Sequence, residues 1–103
     1  MSINTIARSR VQSLVADNPS LERIIGNEVE WFANDAETLI GTIAHDAALD
    51  HWTYVLLGKA GTGSYHALAI ETGLVSQDEA TVRLLRAMKA HEEDQPTPAQ
   101  HFQ

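Results

Sequence analysis

The 103-residue chain contains no cysteine. Disulfides, thiolate nucleophiles and cysteine-ligated zinc are therefore excluded, and this absence fits a reducing compartment such as the cytoplasm. Long apolar runs are missing too, since none approaches the roughly 20 residues that a membrane-spanning helix needs. The opening stretch MSINTIARSR also lacks the apolar segment of a signal peptide. We therefore expect a cytoplasmic protein that does not enter a membrane.

Basic residues are scarce, with 7 Lys and Arg against 14 Asp and Glu and a formal net charge of −7. A surface of this sign repels the phosphate backbone, so general binding to nucleic acid is disfavoured. The same acidity is compatible with another function, in which the protein imitates nucleic acid and binds a basic partner as a decoy. The remaining composition, 44% hydrophobic and 20% charged, is typical of a globular domain.

Hydrophobic periodicity gives the order of the elements. It predicts a helix over residues 2–16, and the stretch DNPSLERIIGN predicts a second, short helix within residues 17–27. Four strands follow: EVEWFAND, ETLIGTIAHD, HWTYVLLGK and SYHALAIET. Their short connections require antiparallel neighbours.

The last helix has the clearest start. Ser76 is followed three residues later by Glu79, the spacing of a capping box, and an apolar stripe of Ala80, Leu84, Leu85 and Met88 comes next. We therefore predict one α+β domain over residues 1–94, with a four-stranded antiparallel meander sheet, an N-terminal helix, a short second helix and a C-terminal helix. The proline-containing residues 95–103 are expected to be disordered.

A glycine-rich stretch, LLGKAGTGSY, has the glycine spacing of a phosphate-binding loop at Gly58 and Gly63. That loop needs a lysine and then a hydroxyl residue after its second glycine, where this chain has Ser64 and Tyr65. A phosphate-binding loop is also followed directly by a helix, whereas the glycine-rich stretch of this chain is followed by a predicted strand. The glycines are better explained as a hairpin turn, and we predict no cofactor.

The segment HDAALDHW places His45 and Asp46 before a turn and Asp50 and His51 after it. Imidazole and carboxylate groups are metal ligands and acid–base partners. Aspartate is also a turn-forming residue that hydrogen-bonds its own backbone, which is the more economical explanation. The segment supplies no convincing third and fourth ligand, so we predict no metal site and no catalytic residue.

Three aromatic residues form a second candidate. Trp31, Trp52 and Tyr54 lie on predicted strands, where they can line an apolar pocket or pack inside the sheet. Together with His45, Asp46, Asp50 and His51 they are the candidate ligand-binding residues.

A resemblance to a family rests on W-F-A at residues 31–33, I-G-T-I at 40–43, D-H-W-T-Y-V-L-L-G at 50–58 and the acidic-capped last helix. In these motifs the chain resembles a family of small bacterial proteins found in accessory and mobile genomes, similar to products of integron gene cassettes. The resemblance covers about the C-terminal two-thirds of the chain. It implies a genomic setting and carries over no functional residue.

Apolar residues on both faces of the predicted strands suggest that both faces lose contact with water, since a sheet with one wet face should alternate cleanly. If the helices cover one face, a second copy must cover the other, whereas helices on both faces would leave a monomer. We therefore predict a homodimer, with the contact at or near Val55, Leu57, Leu68 and Ile70 or at the opposite aromatic set. The favoured function is a homo-oligomeric interaction module, and an unidentified protein partner stays open. The alternative is a ligand-binding protein or enzyme that uses the Trp31, Trp52 and Tyr54 surface with the His45–His51 loop.

Overall fold

The computed structural model describes residues 3–16, 28–61 and 63–94. Five strands and two helices follow one another: β1 Ile3–Thr5, α1 Arg8–Leu14, β2 Glu28–Asn34, β3 Leu39–Asp46, β4 His51–Lys59, β5 Tyr65–Leu74 and α2 Gln77–Asp94. The strands form one sheet in the order β1-β2-β3-β4-β5 with antiparallel neighbours throughout. The predicted α+β class and antiparallel meander are confirmed.

The number of strands was wrong, because the predicted helix over residues 2–16 begins with a strand. Ile3 lies opposite Asn34 and Thr5 opposite Phe32 in the register of β1 and β2. Pairing with the edge of β2 satisfies backbone groups that a helix would have satisfied within itself. The β-branched side chains of Ile3 and Thr5 suit a strand better than a helix. The helix that remains is α1, Arg8–Leu14.

One face of the sheet, here called the α2 face, packs against the C-terminal helix. Ala80, Leu84 and Met88 of α2 are fully buried there, as the predicted stripe requires, whereas Leu85 is only partly buried. The buried sheet residues of this cluster are Phe32, Leu39, Ile43, Tyr54, Leu56 and Leu74, and Ile3 of β1 packs against it while partly buried. Ser76 caps the helix, because its Oγ accepts the backbone N–H of Glu79 at 3.1 Å.

The opposite face, here called the α1 face, packs against the N-terminal helix. Val11 and Val15 are buried there in a second cluster with five sheet residues: Trp31, Ile40, Val55, Leu57 and Tyr65. Each of the two described helices therefore covers a face of its own, so the condition on which the predicted dimer depended, that the helices sit on one face, is not met by α1 and α2. Val55 and Leu57, two of the predicted contact residues, are buried inside the chain.

Two strands depart from regular pairing. The register of β2 and β3 shifts between Glu28 and Glu30, so β2 carries one extra residue there. The register of β4 and β5 shifts twice, and both extra residues lie on β5. Gly73, in the second of these bulges, has a φ of 73°, a conformation that favours glycine.

Two predictions concern residues outside the described ranges: the short helix within 17–27 and the disordered tail at 95–103. Among the described helices, none is long and apolar enough to cross a membrane.

Candidate functional site

The predicted His–Asp segment forms the hairpin between β3 and β4. His45 pairs with Trp52 and Asp46 with His51 in the strand register. The rings of His45 and Trp52 contact each other, with centroids 4.7 Å apart, and Nε2 of His45 lies 3.0 Å from Oδ1 of Asp50. Asp50 is almost fully exposed, so this contact closes the hairpin tip at the surface.

The turn itself accounts for both aspartates. Oδ1 of Asp46 accepts the backbone N–H groups of Ala48 at 3.0 Å and Leu49 at 3.3 Å. Asp50 adopts a φ of 52°, which aspartate tolerates better than most residues. The turn interpretation of this segment therefore agrees with the geometry.

The two histidines do not meet. Paired residues on neighbouring strands lie on the same face, and consecutive residues lie on opposite faces. His45 therefore lies on the α2 face and His51 on the α1 face. Within residues 3–16, 28–61 and 63–94, no three His, Asp or Glu side chains are grouped to hold a metal ion.

The three aromatic residues do not form one surface. Tyr54 and Trp52 belong to the cluster on the α2 face, whereas Trp31 belongs to the cluster on the α1 face. The sheet stands between them, so a ligand cannot contact all three. The predicted common surface is therefore not assembled.

Trp31 lines a small pocket, here called the Trp31 pocket, between β2 and the segment that leads from β1 into α1. Its volume is about 330 Å³. The residues around it are Thr5, Ile6, Ala7, Arg8, Glu28, Val29, Glu30 and Trp31. Trp31 is only 3% exposed, and its Nε1–H has no hydrogen-bond partner among the residues that the structure describes. Buried polar groups are nearly always paired, so this donor calls for an explanation.

The same pocket contains an ion pair. A guanidinium nitrogen of Arg8 lies 2.8 Å from a carboxylate oxygen of Glu28, whose side chain is 1% exposed, while that of Arg8 is 53% exposed. The guanidinium also donates to the backbone carbonyl of Glu28 at 3.3 Å. The buried carboxylate is thus compensated by a cation that remains in contact with water.

Tyr54 lines a larger cleft of about 600 Å³ between β5 and α2, on the other side of the sheet. Burial and a hydrogen bond to Glu71 raise the pKa of Tyr54. Glu71 in turn accepts from Arg83 at 2.6 Å, and Nε of Arg83 lies 3.3 Å from Glu79. These four side chains satisfy one another, so the cleft is better explained as a polar network that fixes α2 to β5.

Part of the α1 face lies under neither of the two described helices. This area, here called the open face, contains Ala44, Thr53, Ala67 and Ile70, which the register of β3, β4 and β5 places on that side. Ala67 and Ile70 are exposed, Ile70 to 59%, and Ala44 and Thr53 are partly exposed.

Comparison with known proteins adds no assignment, since no family model, curated protein or solved structure matches the chain. The resemblance to integron-cassette proteins therefore stays a prediction. The Trp31 pocket was missed by sequence reasoning for a physical reason. Glu28 and Trp31 are three residues apart, a spacing that places two side chains on opposite faces of a regular strand. The bulge in β2 brings both to the α1 face, and the sequence carries no clear signal for it.

Proposed function

We propose that the protein is a cytoplasmic, non-catalytic interaction module that forms a homodimer through its open face. The observation that carries this proposal is the exposure of Ile70 on the open face, where the neighbouring residues Ala44, Thr53 and Ala67 are small. Alanine and threonine neighbours leave a flat surface on which an isoleucine from another molecule can lie. The lack of cysteine favours the cytoplasm, and the resemblance to accessory-genome proteins supports a bacterial setting.

A second copy is the favoured occupant, because the commonest assemblies of a single chain are two-fold dimers in which one surface meets itself. The outer edge of β5 is a poorer contact, since its two bulges interrupt the row of backbone groups that another strand would need. A stable interface buries about 800 Å² on each partner. The contact must therefore extend beyond the open face to its polar rim at Asp46 and His51.

Light scattering after size exclusion tests the assembly. The monomer has a mass of 11.3 kDa, and we expect twice that mass at micromolar concentration. Ile70→Lys should return the protein to the monomer, because it places a charge in the centre of the contact. Val82→Lys is the matched control, since Val82 is an exposed valine on α2, on the other side of the sheet.

A monomer for the unmodified protein at all concentrations up to about 100 μM, a range typical of weak interfaces, would exclude this function. A different outcome is a dimer that persists in Ile70→Lys and dissociates in Val82→Lys. The protein would then still self-associate, but through the α2 face rather than the open face.

Binding of a small ligand is the second candidate function, and the unpaired Nε1–H of Trp31 favours it. The ligand-binding residues predicted from the sequence cannot all contribute to one site, because Trp31 lies apart from Trp52, Tyr54 and the hairpin. Thermal-shift screening tests the function itself, since a ligand raises the unfolding free energy by RT ln(1 + [L]/Kd). If no compound class stabilises the protein, ligand binding is excluded whatever the site.

A further inference from the structure

We propose that the Trp31 pocket binds a small neutral molecule that presents an amide carbonyl oxygen, and that Nε1–H of Trp31 donates to this oxygen. The proposal rests on the ligand-binding candidate and is independent of self-association. It begins from the buried indole, which is a donor only and cannot be satisfied by a rearranged proton. The missing partner must therefore be an acceptor.

The Trp31 pocket is a described space through which an acceptor can approach Trp31. The described members of its cluster are the apolar residues Val11, Val15, Ile40, Val55 and Leu57 together with Tyr65, whose hydroxyl donates to the carbonyl of Glu37 at 2.6 Å. Thr42, which lies opposite Trp31 in the strand register, is buried as well, and its hydroxyl donates to the carbonyl of Glu30 at 2.8 Å. Trp31 is one of the residues that line this pocket, which is open to solvent. Its volume of about 330 Å³ is at the lower end of the range for small-molecule sites. A ligand of roughly a dozen non-hydrogen atoms suits that volume.

Entry requires a small movement of the pocket wall, because Nε1 has almost no accessible surface in the structure. The wall includes two side chains that are half exposed, Arg8 and Val29, and they can move without uncovering the core. Formation of the missing hydrogen bond favours this movement, since an unmade buried bond is costly. Free protein should therefore keep the indole N–H shielded from water.

Charge decides between a carbonyl and a carboxylate. The wall contains one cation, Arg8, against two carboxylates, Glu28 and Glu30, and Arg8 is already held by Glu28. An anionic ligand would compete with Glu28 for the same guanidinium and leave a buried carboxylate uncompensated. An amide carbonyl is a strong neutral acceptor and carries no such penalty. Ile6 and Val29 supply an apolar wall for an aliphatic substituent.

The two indole N–H groups of the chain allow a test with an internal reference. We would titrate ¹⁵N-labelled protein with 4-methylpentanamide and, separately, with 4-methylpentanoate, which has a carboxylate in place of the single amide. With the amide, the Nε1–H signal of Trp31 should move and that of Trp52 should not. A ligand of this size is expected to bind with a Kd on the order of 1 mM, and the carboxylate should bind at least tenfold more weakly.

Two variants connect the signal to the hydrogen bond. Trp31→Phe keeps an aromatic ring but removes the donor, and should weaken binding of the amide by about fivefold to tenfold, the value of one neutral hydrogen bond. Trp52→Phe is the matched control and should bind as the unmodified protein does. Backbone amide shifts measure binding for both variants, and their spectra establish that both remain folded.

Three results would overturn the proposal. The first is that the Nε1–H signal of Trp31 does not move at up to tens of millimolar of the amide. Rapid hydrogen exchange of this N–H with water would then show that water satisfies the donor. The second is equal binding of amide and carboxylate, which would reject the ligand class. The third is amide binding that Trp31→Phe leaves unchanged, in which case the protein still binds a ligand but at another site.

Discussion

Trp31 and Tyr54 lie on opposite faces of one sheet. Trp31 packs beneath α1 with Ile40 and Val55, and Tyr54 packs beneath α2 with Ile43 and Leu56. Each residue adjoins a cavity of its own, but their chemistry differs. The hydroxyl of Tyr54 forms a hydrogen bond with Glu71, whereas the indole N–H of Trp31 has no partner in the described part of the chain. The unsatisfied donor, rather than the larger cavity, therefore identifies the better candidate for ligand binding.

Substitution of Gly41 tests the fit of α2 on the sheet. A Cβ at this position would lie 2.5 Å from Cδ1 of Leu84, which is fully buried and cannot move away freely. We expect Gly41→Ala to lower the unfolding free energy by about 1–3 kcal/mol, the usual cost of overpacking. Urea denaturation measures this loss. Gly61→Ala is the control, since nothing lies within 4 Å of its added Cβ, and an equal loss in both variants would contradict the close packing.

Removal of the cap at Ser76 should destabilise α2. Oγ of Ser76 accepts the backbone N–H of Glu79 at 3.1 Å, so Ser76→Ala should cost about 1 kcal/mol in chemical denaturation. Ser13→Ala is a matched control, because Ser13 is exposed and its hydroxyl only donates back to the carbonyl of Ser9. If the two variants unfold at the same denaturant concentration, Ser76 does not act as the cap.

Zinc and manganese should not bind tightly at the β3–β4 hairpin. His45 and His51 lie on opposite faces of the sheet, and Asp46 is occupied by two backbone N–H groups of the turn. Titration calorimetry on the purified protein measures the affinity. Micromolar binding that disappears in His45→Ala or His51→Ala would prove this expectation wrong and would require the hairpin to rearrange.

The ion pair between Arg10 and Glu37 should make a pH-dependent contribution to stability. Nε of Arg10 donates to the Glu37 carboxylate at 2.9 Å, and this hydrogen bond holds the pKa of Glu37 below its ordinary value of 4.5. The contribution is therefore present above the unfolded-state pKa and is lost as pH falls through the folded-state pKa. Arg10→Gln should be less stable than the unmodified protein at pH 7, and the difference should shrink below about pH 4.

Urea denaturation at neutral and acidic pH checks this sign. The effect will be small, because both side chains are in contact with solvent. Lys89→Gln serves as the control, since Lys89 makes no ion pair with any described residue. A difference that grows toward acidic pH for Arg10→Gln would reject the stabilising role of this pair.

Sequence reasoning located the elements whose signals are local. The run HWTYVLLGK coincides with β4, and the serine–glutamate spacing marked the start of α2 because capping involves neighbouring residues. The strand at Ile3–Thr5 depends on a partner about 30 residues away. Its three residues carry too little pattern to reveal that pairing.

The candidate site was harder to predict, for two physical reasons. Alternation along a strand assigns residues to faces only while the register is regular, and the bulge between Glu28 and Glu30 reverses it. The apolar pattern also indicates that both faces of the sheet contain buried residues, but it does not indicate which element buries each of them. Val55 and Leu57 were therefore expected at a dimer contact, although α1 buries them within one chain.

Neighbouring strands in this sheet are also neighbours along the chain, from β2 through β5. Each of those three pairings closes a hairpin, so the chain brings its strands together through short loops whose closure costs little entropy. Proteins dominated by such local contacts have low contact order and fold faster than those that join distant segments. The chain between β1 and β2 is longer than the chain between any other two paired strands. We therefore expect the pairing of β1 with β2 to be the slowest during folding.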